Sequence, residues 1–319
     1  MKKIGVLTSG GDAPGMNAAI RSVVRSALYR GWEVYGIRDG YRGLIHNDMS
    51  TMNRSSVSEI IIRGGTILGS ARSEEFKNLD VQKQAVKILK YKGIEALVCI
   101  GGDGTYKGAK ALTDLGINCI SIPGTIDNDV VSTDFSIGFD TALMTIVENI
   151  AKLRDTSSSH HRCFVVEVMG NHCGDLAIWA GITSGAEMVI TKDTGFDLDE
   201  TIMRLNEIEN VKKKHHAIVI ISEKITDVNE LAKAISSRTG FSGRATVLGH
   251  IQRGGAPTAT DRMLASRMGD YAVQLIAEGK GGLCVNTINN KLEALDITEA
   301  VSMDPASREP LFKLLERLI

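Results

Sequence analysis

Ile100-Gly101-Gly102-Asp103-Gly104-Thr105 is the stretch from which the architecture of this chain of 319 residues can be read. It follows the apolar run Ala96-Leu97-Val98-Cys99 and precedes a helix-like segment, which predicts a buried strand ending where the glycines begin. A glycine-rich turn from strand to helix lets backbone N–H groups approach a phosphate chain, and the helix N-terminus adds a favourable dipole. Asp103 is out of place in a pure anion cradle, since a carboxylate repels phosphate. It suits a phosphate that arrives with Mg²⁺, which takes hard carboxylate oxygens. Two readings stay open on these residues alone: a nucleotide–metal loop, or a tight turn whose Asp caps the following helix.

Working outward, short apolar runs alternate with amphipathic stretches. The runs are Ile4–Leu7, Glu33–Ile37, Ala96–Ile100, Asn118–Ile122, Cys163–Val168, Met188–Ile190, Ala217–Ile221, Thr246–Leu248 and Leu283–Val285. Helical patterns include Met16–Arg30, Asp140–Asp155, Leu198–Asn210, Asn229–Ser237 and Asp261–Glu278. The alternation predicts an α/β fold of βαβ units, with parallel sheets covered by helices on both faces and ligands at the carboxyl ends of the strands. The length allows two domains, and no linker marks a boundary. A net charge of −1 gives no reason to expect nucleic acid or a membrane surface as partner. No apolar stretch is long enough to span a bilayer, and Lys3-Ile4-Gly5-Val6-Leu7 leads directly into a strand, so the expectation is a soluble, unprocessed, cytoplasmic chain. The five cysteines are scattered without a C-x-x-C pair and read as small core residues, which makes a zinc site improbable.

Further turns carry chemistry. Thr8-Ser9-Gly10-Gly11-Asp12-Ala13-Pro14-Gly15 follows the first strand; Asp12 replaces the second glycine of a dinucleotide fingerprint, and no Walker A loop occurs. Two Gly-Gly-Asp turns after strands suggest two walls of one phosphate site. Pro123-Gly124-Thr125-Ile126-Asp127-Asn128-Asp129 puts two carboxylates at a strand end. An extended chain would point both to one side, where like charges raise one pKa unless cations are near. Such a carboxylate can accept a hydroxyl proton during attack on a γ-phosphate; an Asx-rich turn is the structural alternative. Arg72 follows a glycine-rich loop, Arg162 follows Ser159-His160-His161, and Arg244 and Arg253 flank Gly249-His250-Ile251-Gln252. Arginine suits phosphate through paired donors.

Together these segments, with Met169-Gly170, resemble the bacterial ATP-dependent 6-phosphofructokinases over essentially the whole chain. The resemblance implies two Rossmann-like three-layer domains with mostly parallel sheets and an active site in the cleft between them. The expected larger, ATP-binding domain is residues 1–138 plus about 251–301; the smaller, fructose-6-phosphate-binding domain is 139–250 plus about 302–319. Gly11, Tyr41, Arg72, Ser73, Gly102, Asp103, Gly104 and Thr105 would surround ATP, with Asp103 serving Mg²⁺. Asp127 would accept the proton of the sugar 1-hydroxyl, with Thr125, Ile126 and Asp129 beside it, and Arg72 would bridge donor and acceptor sides. Met169, Gly170, Asn171, Glu223, His250, Ile251, Gln252 and Arg253 would hold fructose 6-phosphate, together with Arg162 and Arg244 from a neighbouring subunit of a homotetramer.

Pyrophosphate-using relatives carry Asp at position 104 and Lys at 124; Gly104 and Gly124 therefore imply ATP as donor. Arg21 and Arg25, spaced i, i+4, with Arg54, Arg154, Gly185, Glu187, Lys212, Lys214, His215 and His216, match the family's site for ADP and phosphoenolpyruvate. The lysine run also reads as a solvated helix end. Asn171 stands where the family usually has a substrate-contacting arginine. The implied role is a committed step of glycolysis. Two alternatives compete with it: another Gly-Gly-Asp-Gly kinase acting on NAD or a lipid, and a nucleotide-sensing relative weakened in catalysis, which Asn171 alone favours.

Overall fold

The computed structural model describes residues 1–157 and 159–318; Ser158 and Ile319, both inside the expected smaller domain, lie outside the described residues. In chain order the strands are β1 Lys3–Ser9, β2 Glu33–Ile37, β3 Met49–Met52, β4 Ala96–Gly101, β5 Asn118–Pro123, β6 Arg162–Val168, β7 Met188–Ile190, β8 Ala217–Ser222, β9 Ser242–Val247, β10 Leu283–Ile288 and β11 Lys291–Asp296. The helices are α1 Met16–Tyr29, α2 Gly40–Ile45, α3 Leu79–Lys92, α4 Asp103–Asp114, α5 Phe139–Ser157, α6 Asp175–Ser184, α7 Leu198–Asn210, α8 Val228–Arg238, α9 Ala259–Ala277, α10 Ile297–Ala300 and α11 Glu309–Leu318.

The chain divides into two units. The first comprises Met1–Ile126, Val130–Thr141 and Arg253–Pro305. Its seven-stranded sheet runs β11-β10-β5-β4-β1-β2-β3, with β10, β5, β4, β1 and β2 mutually parallel. Every residue of β4 is buried, as a strand covered on both faces requires. Leu7, Leu97 and Cys99 join Tyr106 and Leu112 of α4 and Leu89 of α3 in one core cluster, while α1 packs against α9.

The sheet is mostly parallel, as expected, and only its two edges run antiparallel. β2–β3 and β10–β11 are antiparallel. The second is a hairpin whose two loop residues, Asn289 and Asn290, have φ of 52° and 64°, the left-handed pair that closes a two-residue turn. Asn-Asn is a weaker turn signal than Asn-Gly, so the sequence did not announce it.

The second unit comprises Asp127–Asp129, Ala142–Gln252 and Ala306–Ile319. Its four-stranded sheet, β7-β8-β6-β9, is parallel throughout. β8 is buried along its length, and Val165, Val219, Leu205, Leu231 and Ile235 form the core beneath α7 and α8. The strand expected at Thr246–Leu248 is longer and earlier, Ser242–Val247, because pairing with β6 from Arg162 to Glu167 sets its bounds. All five cysteines are buried and free.

Candidate active site

In the first unit three glycine-rich turns leave adjacent strands at their carboxyl ends. Ser9 is in register with Gly101, and Gly101 with Pro123. Gly10–Asp12, Gly102–Gly104 and Gly124–Thr125 therefore emerge side by side. Hydrogen bonds fix them. Thr105 Oγ1 donates to the Ser9 carbonyl at 3.1 Å, Gly124 N to the Gly101 carbonyl at 3.0 Å, and Ser70 Oγ to the Gly10 carbonyl at 2.5 Å.

α4 starts on the second of these turns. Asn78, Asp197, Asp227 and Thr258 cap α3, α7, α8 and α9 with their side chains, but Gly102 at the start of α4 and Gly15 at the start of α1 bring none. Thr105 N already donates to the Gly102 carbonyl at 2.9 Å, so it is the Asp103 and Gly104 N–H groups of the first turn that no side chain caps. Asp103 is the first helical residue, not the cap, so the capping alternative fails. Its carboxylate is 48% exposed and meets Lys107 one turn on at 2.6 Å. A pair of this kind is worth about 0.3–0.5 kcal/mol and yields readily to a stronger cation. Among the described residues no cluster of three or more His, Cys, Asp or Glu could hold a metal. Mg²⁺ bound through phosphates needs only one or two carboxylates and keeps its waters. Asp103 beside an uncapped helix start fits that mode.

Two glycines act here in different ways. A Cβ on Gly104 would meet nothing within 4 Å, so the space over the first turn of α4 is open. A Cβ on Gly11 would lie 2.5 Å from the Arg253 guanidinium, which donates to the Asp12 carbonyl at 3.1 Å. Glycine at 11 therefore lets that cation lie against the first turn.

Asn17, on α1, was given no role from the sequence. It is buried on α1 and donates from Nδ2 to the carbonyls of Arg63 and Gly64, both at 3.1 Å, while its Oδ1 accepts from Ile67 N at 2.7 Å. An amide inside the apolar stripe Met16, Ile20, Val23 was the available signal. It shapes the loop leading to Arg72, whose side chain is exposed, and to Ser73, whose hydroxyl is buried without a partner among the described residues. Tyr41 is only 4% exposed; it stacks on Phe76 at 4.3 Å and donates to the Thr105 carbonyl at 2.6 Å, supporting α4 from below.

In the second unit the Asp127–Asp129 loop is not extended as the pairing of its carboxylates assumed. Asn128 has φ 53°, a left-handed turn that Asn tolerates, so the two aspartates are not same-side neighbours on a strand. Asp127 and Asn128 are both 8% exposed, and Asp129 accepts from Asn171 Nδ2 at 3.2 Å. Ile126, the last residue of the first unit's Met1–Ile126 segment, is fully buried.

Met169, Gly170 and Asn171 follow β6, and Glu223 follows β8, so both segments stand at carboxyl ends of paired parallel strands. Asn171 N donates to Glu223 Oε1 at 2.8 Å, and Met169 N to Gln252 Oε1 at 3.1 Å. Gln252 is fully buried and positions the Met169 backbone, while His250 and Ile251 lie closer to solvent. Lys224, not singled out from the sequence, donates to Asn171 Oδ1 at 2.8 Å, so a cation accompanies the asparagine that replaced an expected arginine. Arg162 and Arg244 are not brought to this end. Arg162 opens β6, and Arg244 pairs with Phe164 two residues on. The seven-residue strand separates Arg162 from Met169 by roughly 20 Å at about 3.3 Å per residue.

The expected effector residues form two groups. Arg21 and Arg25 share a face of α1 in the first unit; burial and then the charge of Arg25 lower the pKa of Arg21, and Arg25 Nε is buried without a partner among the described residues. Arg54 is exposed. In the second unit the Glu187 carboxylate, 2% exposed, meets Lys214 Nζ at 3.1 Å and Arg154 Nη1 at 3.6 Å, and accepts from Ile218 N at 2.7 Å. Arg154 also donates to the Gly185 carbonyl at 2.8 Å. Lys212 and Glu187 line a cavity of about 290 Å³, and the His215 ring lies 4.7 Å from that of His161. The exposed Lys212–Lys213 pair fits a solvated helix end; Lys214 does not, because it neutralises a buried carboxylate.

Known proteins resemble this chain in sequence and in fold. An ATP-dependent 6-phosphofructokinase of Photobacterium profundum is 58% identical over 319 residues, spanning 100% of this chain and 99% of that protein. One from Vibrio vulnificus is 56% identical with the same coverage. Among solved structures, phosphofructokinase from Saccharomyces cerevisiae superposes with a TM-score of 0.87 at 33% identity over 100% of this chain and 47% of its own, so this chain spans about half the yeast chain. A pyrophosphate-dependent phosphofructokinase from Marinobacter aquaeolei has the same fold at TM-score 0.86 and 20% identity, covering 100% of this chain and 92% of that one. The family model described as Phosphofructokinase matches residues 3–276. With that match and relatives of equal length above half identity, this chain belongs to the phosphofructokinase family.

Proposed function

We propose that this protein transfers the γ-phosphoryl group of ATP to the 1-hydroxyl of fructose 6-phosphate, giving fructose 1,6-bisphosphate, a committed step of glycolysis. The observation that carries the reading is the juxtaposition of three glycine turns at the ends of β1, β4 and β5 with an uncapped α4 and open space over Gly104. The first unit takes the donor: Gly11 and Gly102–Thr105 receive the phosphates, and Arg72 and Ser73 lie on the loop that Asn17 shapes. Asp103 would hold Mg²⁺, which supplies charge neutralisation on the donor phosphates. The second unit takes the sugar phosphate through Met169, Gly170, Asn171, Glu223 and His250.

In a loose phosphoryl-transfer transition state the protein chiefly orients and neutralises. Asp127 accepts the 1-hydroxyl proton as the oxygen attacks; Thr125 and Asp129 flank it. Arg72 offsets charge on the moving phosphoryl group. The long separation of Arg162 and Arg244 from Met169 supports the view that both serve a neighbouring subunit in a homotetramer. Arg21, Arg25 and Arg54 from one subunit, and Arg154, Gly185, Glu187, Lys212, Lys214, His215 and His216 from another, would form an effector site at which ADP activates and phosphoenolpyruvate inhibits. No helix among the described residues is long and apolar enough to cross a membrane; we assign the enzyme to the cytoplasm on its reaction.

Open space at Gly104 favours ATP over pyrophosphate. Steady-state assays with fructose 6-phosphate test this: turnover with ATP and none with pyrophosphate is expected. Turnover with pyrophosphate alone, or with NAD as the better acceptor, would overturn the reading.

A further inference from the structure

The segment that carries Asp127 is not secured by sheet hydrogen bonds, and its central residue is left-handed. Side chains at the start of α6 and in the turn just before it, in the same unit, hold it. Asn128 Nδ2 donates to Asp175 Oδ2 at 3.0 Å, and the Cys173 thiol reaches the Asn128 carbonyl with sulfur at 3.7 Å. Asp175 is the first residue of α6 and 8% exposed, and its other oxygen, Oδ1, accepts from Arg308 Nε. Arg308 Nη2 also donates to Cys173 Sγ at 2.8 Å. Burial, and then the Asp175 charge, push the Cys173 thiol up to about 12, so it stays a neutral donor to Asn128.

Arg308 is itself anchored. Its carbonyl accepts from Leu311 N at 3.0 Å and Phe312 N at 3.1 Å, starting α11, whose Leu315 is buried and which packs on α6. A guanidinium fixed to one helix thus neutralises a carboxylate at the start of another, and that carboxylate grips the residue next to Asp127. A buried carboxylate without its cation draws in water or a proton, and its grip on an amide loosens.

We infer that Arg308, acting through Asp175 and Asn128, is a positioning residue for the Asp127 carboxylate. The inference rests on the proposed role of Asp127 as proton acceptor. It gives the C-terminal segment, far from the glycine turns in sequence, a part in turnover. An error of about 1 Å in a reacting group can cost on the order of a hundredfold in rate, so a loosened loop is visible in kcat before it is visible in the fold.

The test compares wild type, Arg308→Met, Asn128→Gly, their double variant and Asp127→Asn, all full length. Glycine keeps the left-handed backbone at 128 and removes only the side-chain hydrogen bond. Arg308→Met and Asn128→Gly should each lower kcat by about tenfold or more, with KM for ATP changed by less than about twofold. Because the two act through one link, the double variant should be no more than about twofold slower than the slower single. Multiplicative losses would overturn the link, and so would an Arg308→Met enzyme with lowered Tm and wild-type kcat. Should Arg308→Met not fold, Arg308→Gln takes its place under the same criteria. Asp127→Asn separates the two claims: turnover surviving in that variant contradicts the proton-acceptor reading itself. Loss of turnover there, with Arg308 variants unaffected, contradicts only the positioning role.

Discussion

The Thr105 hydroxyl donates to the Ser9 carbonyl across 3.1 Å and ties the turn that opens α4 to the end of β1. Thr105 is 2% exposed, so this bond is made away from solvent. Thr105→Val keeps the shape and deletes the donor, leaving a buried carbonyl without it. The expected outcome is a loss of about 1–3 kcal/mol in stability and a raised KM for ATP, with KM for fructose 6-phosphate little changed. Denaturant unfolding together with two-substrate kinetics checks both halves.

Gly104 separates ligand room from fold stability. Its absent Cβ has no protein neighbour within 4 Å, so Gly104→Asp should fold with a Tm close to wild type. The new carboxylate would face the donor phosphates. A like-charge contact of about 4 Å at an effective dielectric near 20 costs on the order of 4 kcal/mol, enough to depress kcat/KM for ATP by a hundredfold or more. Equal loss of stability and activity would show the space is not what the donor uses.

Asp261, at 1% exposure, joins the start of α9 to the start of α5. It accepts from Gly138 N at 2.8 Å, Thr141 N at 2.9 Å and Thr141 Oγ1 at 2.5 Å. Burial outweighs these donors and raises its pKa from 3.8 to about 6. The folded state therefore binds the proton more tightly than the unfolded chain. Its contribution to stability rises as pH falls from about 6 towards about 4, by roughly 3 kcal/mol in full, and is flat above about 6.5. Asp261→Asn should flatten that part of the pH profile. It should also lose about 1–3 kcal/mol at neutral pH, because its amide donor opposes a backbone N–H. Urea unfolding at several pH values reads out both.

The two effector groups predict a separable defect. Arg21→Ala with Arg25→Ala removes cations on a half-buried face of α1. Basal turnover at saturating substrate should stay within about twofold of wild type while the response to ADP disappears. Initial rates at subsaturating fructose 6-phosphate, with and without ADP, provide the check; a preserved ADP response would contradict the assignment.

Legibility in the sequence followed locality. The turns after β1 and β4 could be read because apolar runs ending in Gly-Gly-Asp carry both the strand and its phosphate-facing end. The edges could not: β3 and β11 pair antiparallel, and Asn289-Asn290, the turn before β11, is a weak signal. Asp127 and Asp129 were found as types, but a single left-handed residue between them changed their geometry. Asn17, Lys224, Asp175 and Arg308 act through partners distant in sequence, which spacing alone does not reveal. The separation of Arg162 and Arg244 from Met169 needed the β6–β9 register.

The central claim is that Asp127 takes the proton from the attacking hydroxyl. The most direct measurement is turnover of Asp127→Asn in a coupled assay, with ATP binding followed separately by calorimetry. Asparagine preserves size but cannot accept the proton, so kcat should fall by roughly 10²–10⁴ while ATP affinity is retained. A variant that turns over at near wild-type rate with ATP bound normally would contradict the account.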